Sequence, residues 1–312
     1  MRKHHIWQAV TAVIAIALTA CGGSSPATSS TSAATQFPVT IAGSGGTSVT
    51  IAKQPRRIVS LSATATEMLF AIGAGGQVVA VDDQSNYPAN APKTKLSGFQ
   101  PSIEAIASYT PDLVVAVDDA GGLVHGLGAL SIPVVIEPAA KNVDESYRQI
   151  EQLGAATGHG ADATALEKKM RSDLAAIVAS IPKPANQLKV YHELDDTYYS
   201  ATSATFIGQV YALLGLKNIA DGATAAAGDY PQLSAEYIVA SSPDLIVLAD
   251  TKCCHQDLGT VSARPGWSSI AAVKRGQVVN VDDDIASRWG PRVVEFLRAL
   301  APHVKQLEQV AA

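Results

Sequence analysis

The sequence predicts an α/β protein of two lobes, each with a parallel sheet covered by helices, joined by a single long rigid helix. Three observations predict this class. Short apolar, β-branched runs alternate with helical patterns in both halves of the chain, which is typical of parallel sheets buried between helices. A long helical pattern separates the halves. The length of 312 residues also suits two lobes of about 100–150 residues each better than one core.

Strands and helices alternate along the first half of the chain. Alternating apolar residues over 39–51 predict a short hairpin that turns near Gly43–Gly46. The helix after the first buried strand has Met68 and Ile72 on one face and ends at Gly73. The expected strands are 57–62, 78–81, 113–117 and 134–136, and the expected helices are 64–72, 103–108 and 123–130.

The second half repeats this alternation, so each half predicts a Rossmann-like lobe. Between the halves, a helical pattern breaks at Gly158–Gly160 and resumes until Pro182. A single helix there would be a stiff spine that allows only small closure motions. The expected strands are 190–194, 245–248 and 278–281, with helices at 206–214, 235–240, 293–307 and shortly before Trp267. We expect an N-terminal lobe over 39–157, a connecting helix over 158–183 and a C-terminal lobe over 184–312.

One internal repeat supports two related lobes. Residues 102–118 read SIEAIASYTPDLVVAVD and residues 234–250 read SAEYIVASSPDLIVLAD. Eight of 17 positions are identical at a constant offset of 132. The alternative is convergent use of one helix–turn–strand pattern. The shared Glu104 and Glu236 favour a further role, because the buried strand needs no acid at that helix position.

The first residues are typical of an export signal. Arg2 and Lys3 precede the apolar run Ala9–Ala20, which is too short for the roughly 20 residues of a spanning helix. The sequence LTACG around Cys21 resembles the bacterial lipobox, which implies cleavage before Cys21 and lipidation of that residue. We expect a signal peptide over 1–20 and a flexible tether over 21–38. An ordinary signal with a chance cysteine, or a short uncleaved anchor, is the alternative.

Composition and motifs exclude several classes of function. The net charge is −5 and the 23 Lys and Arg residues form no basic stripe, so nucleic-acid binding is not expected. The sequence contains no GxSxG or HExxH motif, and the glycines at 73–76 follow a helix and lack a GK(S/T) partner. We therefore expect no enzyme, no cofactor and no resident metal.

Acidic and aromatic residues gather where the predicted strands end, which is the ligand-binding edge of open α/β sheets. The acids are Asp82, Asp83, Asp118, Asp119, Glu193, Asp195, Asp196, Asp250 and Asp282–Asp284, and Arg288 is the obvious cation. The aromatic residues are Tyr87, Phe99, Tyr198, Tyr199, Tyr230 and Trp289. Flat rings with a few polar groups suit a large, partly apolar ligand. The alternative is that each Asp only caps a helix or turn.

Other residue types favour structural interpretations. Cys253 and Cys254 are expected to be two reduced, partly buried thiols, with a vicinal disulfide as the alternative. A metal site that adds His255 has poor spacing for a chelate. His192 is expected to be a core or cleft-lining imidazole. Glu67 is expected to be a helix cap or a residue of the lobe surface, with a role in holding a loop near the cleft as the alternative.

The motif set resembles the class III periplasmic binding proteins, the substrate-binding lipoproteins of ABC importers for metal chelates such as cobalamin, ferric siderophores and haem. RIVSLSATATEMLFAIGAG (57–75), VVAVDDQSNYP (78–88) and PSIEAIASYTPDLVV (101–115) carry the resemblance in the first half. FIGQVYALLGLKNI (206–219), YPQLSAEYIVASSPDLIV (230–247) and SRWGPR (287–292) carry it in the second.

The resemblance implies two lobes with a ligand held between them, and it assigns roles to individual positions. Glu104 and Glu236 match the glutamates that dock on the two subunits of an ABC permease dimer. The permease in turn works with its ATPase subunits. Gln84 stands where the cobalamin binder has Tyr, and Phe99 and Tyr230 lie near its Trp positions. The expected ligand contacts are Asp83, Gln84, Tyr87, Phe99, Asp118, Tyr198, Tyr199, Tyr230, Arg288 and Trp289.

We therefore expect a monomeric lipoprotein, exported and anchored to the cell membrane through Cys21, that captures a metal chelate and delivers it to a permease. With one obvious cation among many acids, highly anionic chelates fit poorly, whereas neutral or cationic hydroxamates and corrinoids remain open. The alternative is a surface lipoprotein that binds another small ligand or a bare metal ion for uptake or sensing, without catalysis.

Overall fold

Two four-stranded parallel sheets organise the protein. The computed structural model describes residues 36–43, 48–182, 187–223 and 228–311. The expected signal peptide, Cys21 and all of the tether before Gln36 lie outside the described residues, as does the turn at 44–47. Within the described ranges, no helix is both long and apolar enough to cross a bilayer.

The first sheet has the strand order β4-β3-β5-β6 and defines the N-terminal lobe. Its strands are β3 (Ile58–Leu61), β4 (Val78–Val81), β5 (Leu113–Ala116) and β6 (Val134–Ile136), all parallel. All residues of β3 and β5 are buried, which explains their continuous apolar runs. An antiparallel hairpin of β1 (Val39–Ala42) and β2 (Ser48–Ile51) precedes the sheet.

The second sheet has the order β8-β7-β9-β10 and defines the C-terminal lobe. Its parallel strands are β7 (Lys189–Glu193), β8 (Lys217–Asn218), β9 (Leu245–Leu248) and β10 (Val278–Asn280). Counted along the chain, both sheets place the second strand beside the first and the third and fourth on its other side. The predicted fold class is therefore confirmed, and the two lobes share one topology.

Eleven helices cover the sheets within the described residues. In the first half they are α1 (Ala63–Ala71), α2 (Ile103–Ala107), α3 (Leu123–Ala129), α4 (Val143–Thr157) and α5 (Gly160–Ala179). In the second half they are α6 (Phe206–Leu213), α7 (Ala235–Ser241), α8 (Leu258–Ser262), α9 (Ala271–Lys274), α10 (Asp283–Ser287) and α11 (Val293–Ala311). Of these, α9 and α10 and the short strand β8 are additional to the expected elements.

The helix between the sheets packs closely against its predecessor. Gly158 ends α4 in the left-handed region at φ 83°, which glycine adopts without steric cost. A Cβ added at Gly154 would lie 2.4 Å from the Cβ of Ala163, so the two helices approach one another where no side chain fits. One continuous hydrophobic core includes Ile58 of the first sheet and Val190 of the second. The lobe boundaries at 157 and 183 remain a prediction.

The internal repeat has a structural explanation at most of its positions. Ser102 and Ser234 cap α2 and α7 through their side chains. Asp112 accepts hydrogen bonds from the backbone amides of Arg56 and Arg57 at 2.8–3.1 Å. Its counterpart in the second lobe, Asp244, accepts a hydrogen bond from Lys189 N at 3.0 Å. The repeated residues thus begin each helix and tie each turn to the first strand of its sheet.

Candidate functional site

Polar side chains follow the strands of the first sheet at its carboxyl edge. Asp83, Gln84 and Asp118 are exposed there. Asp82 is buried instead, and it accepts a hydrogen bond from Ser85 Oγ at 2.5 Å. Burial raises the pKa of Asp82 above its usual value. The exposed residues are free to meet a ligand, whereas Asp82 fixes the turn that carries them.

Four aromatic side chains are exposed within the described residues: Tyr87, Phe99, Tyr199 and Tyr230. All four belong to the expected ligand contacts. Tyr87 and Phe99 follow β4, Tyr199 follows β7, and Tyr230 lies between β8 and α7. Phe99 is the most open of them, with 81% of its surface exposed. Each lobe therefore presents two exposed or partly exposed rings on loops beyond the carboxyl ends of its strands, which is the ligand-binding edge of open α/β sheets.

The two tyrosines of the C-terminal lobe share one antiparallel ribbon. Ser200 N donates to Pro231 O at 2.9 Å, and Tyr199 forms a bridge with Gln232 on the same ribbon. Tyr230 lies one residue before Pro231. Partial burial raises the pKa of Tyr230, so its hydroxyl stays protonated and can donate a hydrogen bond.

Phe99 and Tyr230 occupy matching places on the two lobes. Phe99 lies three residues before Ser102, the cap of α2, and Tyr230 lies four residues before Ser234, the cap of α7. Because the two sheets have the same strand order, these loops correspond to one another. The contact of this pair with a ligand stays a prediction.

A buried ion cluster joins the two lobes. Glu67 of α1 is 2% exposed, and its carboxylate accepts hydrogen bonds from Arg288 Nη1 at 2.7 Å and from Arg292 Nε at 2.9 Å. Arg292 also stacks over the ring of Tyr87 at 4.3 Å. The expectation that Glu67 caps a helix or lies on the lobe surface is wrong, because its partners come from a segment more than 200 residues later.

Arg288 and Trp289 are held by contacts inside the protein. Arg288 is 9% exposed and also binds Gln84 O and Asn86 Oδ1, both at 2.9 Å. Trp289 Nε1 donates to Gln149 Oε1 of α4 at 2.8 Å. The structure thus places these two side chains between the lobes, and their contact with a ligand stays a prediction.

Two acids near the ends of β7 and β9, Glu193 and Asp250, are buried rather than open to a ligand. Glu193 is paired with Arg264 through two hydrogen bonds of 2.6 Å. Tyr198, an expected ligand contact, is half-buried with its ring 5.7 Å from that of Trp267. Asp250 is fully buried, and burial together with the neighbouring Glu193 carboxylate raises its pKa to about 8. Its carboxyl group therefore stays protonated at neutral pH.

Two acids that follow β10, Asp282 and Asp283, serve the backbone of their own lobe. Asp282 caps α10 through its side chain. Asp283 accepts hydrogen bonds from the amides of Thr251, Lys252 and Cys253 at 2.9–3.1 Å. For these residues, the interpretation as caps and turn ties holds.

The repeated glutamates are exposed on the helix N-termini. Hydrogen bonds from its own backbone amide and from Ser102 Oγ lower the pKa of Glu104, so it is a carboxylate at neutral pH. Glu236 occupies the same place in α7. Nothing in either helix needs this charge for folding, apart from its favourable position at a helix N-terminus.

Two residue types singled out in the sequence have internal roles. Cys253 and Cys254 form a vicinal disulfide in the structure, which was the alternative to reduced thiols. His192 is fully buried, with Nδ1 2.6 Å from Tyr211 Oη. Burial lowers the pKa of His192 to about 3, so the imidazole is neutral, as expected for a core residue.

No three His, Cys, Asp or Glu side chains of the described segments converge as metal ligands.

Three residues of the inter-lobe cluster escaped the sequence analysis: Glu67 as an ion-pair partner, Asn86 and Arg292. Asn86 and Arg292 both lie inside stretches quoted for the resemblance, SNYP and SRWGPR. The available signal was the presence of arginines beside a glycine and a proline in a segment that follows a strand. The common partner of these arginines, Glu67, could not be identified from the sequence, because it lies in the first helix of the other lobe.

The chain matches the profile of one protein family, described as periplasmic binding protein, over residues 58–285. An ABC transporter substrate-binding lipoprotein of Bacillus subtilis, itself uncharacterised, is 33% identical over 97% of this chain and 97% of its own length. A cobalamin-binding protein of Halobacterium salinarum is 33% identical over 86% of this chain and 74% of its own length.

A solved structure extends the similarity to three dimensions. A possible iron-binding, periplasmic solute-binding protein of Staphylococcus epidermidis superimposes with a TM-score of 0.70 and 27% identity. The superposition covers 81% of this chain and 99% of that structure.

Proposed function

The chain belongs to the periplasmic binding protein family, and from that membership we propose that it captures a metal chelate between its lobes for an ABC importer. The four exposed aromatic side chains, two on each lobe, carry this proposal. Flat, exposed rings suit a large, partly apolar ligand better than a bare ion. Such a ligand would cover surface that is otherwise unfavourably hydrated.

The charge of the binding edge narrows the ligand class. The cations of the second lobe at this edge are already paired: Arg264 with Glu193, Arg288 and Arg292 with Glu67, and Lys252 with Asp282 and Asp284. Asp83 and Asp118 are exposed carboxylates. A neutral or cationic chelate, either a corrinoid or a ferric hydroxamate, is therefore favoured, and a polyanionic chelate such as ferric citrate is repelled. The cobalamin-binding relative supports a corrinoid, and the possible iron-binding relative supports an iron-containing ligand.

The permease is the second partner. Glu104 and Glu236 are exposed at corresponding helix N-termini of two lobes that share one topology. A pseudo-two-fold binder of this kind suits a transporter with two equivalent subunits. We assign to the two carboxylates charge-assisted docking on basic pockets of the permease dimer, whose ATPase subunits drive import.

Export and anchoring complete the proposal. The signal pattern over 1–20 and the lipobox-like LTAC sequence support lipidation of Cys21. The Bacillus subtilis relative, named a lipoprotein, supports the same arrangement. The binding lobes would then stand outside the cytoplasm on a tether that reaches residue 38, as a monomer without catalytic activity.

Isothermal titration of the full-length protein in detergent tests the proposed ligand class. The panel is cobalamin, haem, ferrichrome and ferric citrate. We expect saturable 1:1 binding of cobalamin or ferrichrome with Kd of about 1 µM or lower, and no binding of ferric citrate. Binding of ferric citrate alone, or of no chelate by the folded protein, would contradict the proposal.

A further inference from the structure

The segment Arg288–Arg292 belongs by sequence to the C-terminal lobe but lies against the N-terminal lobe. A Cβ at Gly290 would lie 3.5 Å from Thr64 Cγ2 and 3.6 Å from Glu67 Oε2, so the backbone passes directly over α1. Ser146 Oγ donates to Trp289 O, which ties the segment to α4 as well. The lobes are therefore joined by this second contact in addition to the helix between them.

Arg288 is the centre of this contact. Its Nη1 donates to Glu67 Oε1 at 2.7 Å and to Asn86 Oδ1 at 2.9 Å. Its Nη2 donates to Gln84 O at 2.9 Å and to Asp284 Oδ1 at 2.8 Å. The four N–H groups of the two terminal nitrogens thus meet four acceptors, which only the planar fork of an arginine allows.

Two of those acceptors belong to the loop that carries expected ligand contacts. Gln84 is held through its backbone carbonyl, and its exposed side chain donates from Nε2 to Asp83 Oδ1 of the same loop at 3.3 Å. Asn86 is held at both ends of its amide, because its Nδ2 also donates to Asp284 Oδ2 at 2.9 Å. Tyr87 comes next in the chain, and its ring is stacked on Arg292. The C-terminal lobe therefore fixes the shape of a loop in the N-terminal lobe.

We propose that Arg288 is a positioning residue for ligand binding: from the C-terminal lobe it holds the loop over Asp83–Tyr87 in its binding conformation. Its guanidinium does not touch the ligand, because all four terminal N–H groups are engaged within the protein. Glu67 anchors the guanidinium. The guanidinium in turn holds Asn86 and the backbone carbonyl of Gln84 through hydrogen bonds. The expected effect of Arg288 on ligand binding rests on the proposed function. Its expected effect on the order of the loop rests only on the contacts described above.

Replacement of Arg288 by lysine separates the positive charge of the side chain from its forked hydrogen-bonding geometry. Lysine keeps the charge beside Glu67, but its single nitrogen cannot serve Glu67, Asn86 and Gln84 O in the fixed geometry of the fork. Glu67 also keeps Arg292 as a partner, so the buried carboxylate is not left unpaired and the variant should fold. Arg288→Gln serves as the second variant, which removes the charge as well.

Amide hydrogen exchange of residues 84–87 in the full-length protein is the primary measurement, with titration of cobalamin and ferrichrome as the second. For Arg288→Lys we expect exchange in the loop to be about tenfold faster and chelate affinity about tenfold weaker, as for loss of a hydrogen bond to a charged group. Exchange elsewhere in the first sheet should be unchanged. The control is Arg275→Lys, which alters an exposed ion pair with Asp244 and should change neither quantity.

Loop exchange at the wild-type rate in both Arg288 variants would overturn the proposal. Weaker affinity with unchanged loop exchange would overturn it too, since it would mean that Arg288 contacts the ligand directly. If the wild-type protein binds no chelate, the proposed function fails, but the exchange rates still decide whether Arg288 orders the loop.

Discussion

Buried charges near the strand ends are neutralised residue by residue. Arg264 is bidentate to Glu193, and Arg288 and Arg292 share Glu67. A buried ion costs several kcal/mol unless a partner compensates for the lost hydration. These pairs therefore stabilise the fold only as intact units, and their arginines are not free to attract an anionic ligand.

Asp250 differs from these pairs because its fully buried carboxyl lies beside another carboxyl group, that of Glu193. Its pKa is raised to about 8 in the folded protein, whereas an unfolded Asp titrates near 3.9. Between these values only the unfolded state loses the proton, so this residue makes folding stability fall as the pH rises. Below about pH 4 both states are protonated and the penalty disappears.

The variant Asp250→Asn should therefore be more stable than the wild type at high pH. We expect an increase in the free energy of unfolding of several kcal/mol at pH 8, shrinking towards zero as the pH approaches about 4. Urea denaturation at a series of pH values measures it. Asp118→Asn, at an exposed carboxylate, is the matched control and should show no such trend. A difference between Asp250→Asn and wild type that does not depend on pH would rule out this account.

At the scale of helices and strands, one glycine tests the close contact of α4 and α5. Gly154→Ala places a Cβ 2.4 Å from that of Ala163, so the helices must separate. We expect a loss of about 1–3 kcal/mol in unfolding free energy, despite the better helix propensity of alanine. Thermal or urea denaturation measures this loss.

Gly128→Ala in α3 is the control for this contact. A Cβ there meets no atom within 4 Å, so the variant should gain up to about 1 kcal/mol from helix propensity. Equal effects of the two substitutions would show that the α4–α5 contact can relax at no cost.

Most elements could be predicted because their sequence patterns are local. β4, β6 and β9 have the expected bounds, since each is a short apolar run between turn residues. β8 was missed because it contains only two residues, and α10 because its Asp282 cap was considered with the cleft acids. The exposed aromatic residues could be named from topology alone. The Glu67–Arg288 contact could not, because nothing local links residues 221 positions apart.

At the scale of the whole molecule, the two lobes are related by topology and by repeated surface charges. Seen from the permease, α2 and α7 would present one carboxylate each, Glu104 and Glu236. This arrangement needs both lobes at a fixed separation. The continuous core and the Arg288–Arg292 contact supply that rigidity.

Reversal of both docking charges should separate transport from binding. In Glu104→Arg with Glu236→Arg, like charges would face the basic pockets of the permease. We expect uptake of the bound chelate by cells to fall at least about tenfold, with its Kd unchanged in titration. Uptake at the wild-type rate would contradict the docking role, and a changed Kd would place these residues in the binding site.

We propose that the chelate lies between the lobes and contacts one ring from each of them. Titration of the Phe99→Ala and Tyr230→Ala variants, singly and together, tests this proposal most directly. The probe is whichever of cobalamin and ferrichrome binds the wild type, and Leu130→Ala, another exposed apolar residue, is the control. Each aromatic variant should weaken binding about tenfold, since an aromatic contact contributes about 1–1.5 kcal/mol, and the control should not. Wild-type affinity in the double variant would contradict the claim that the chelate lies between the two lobes.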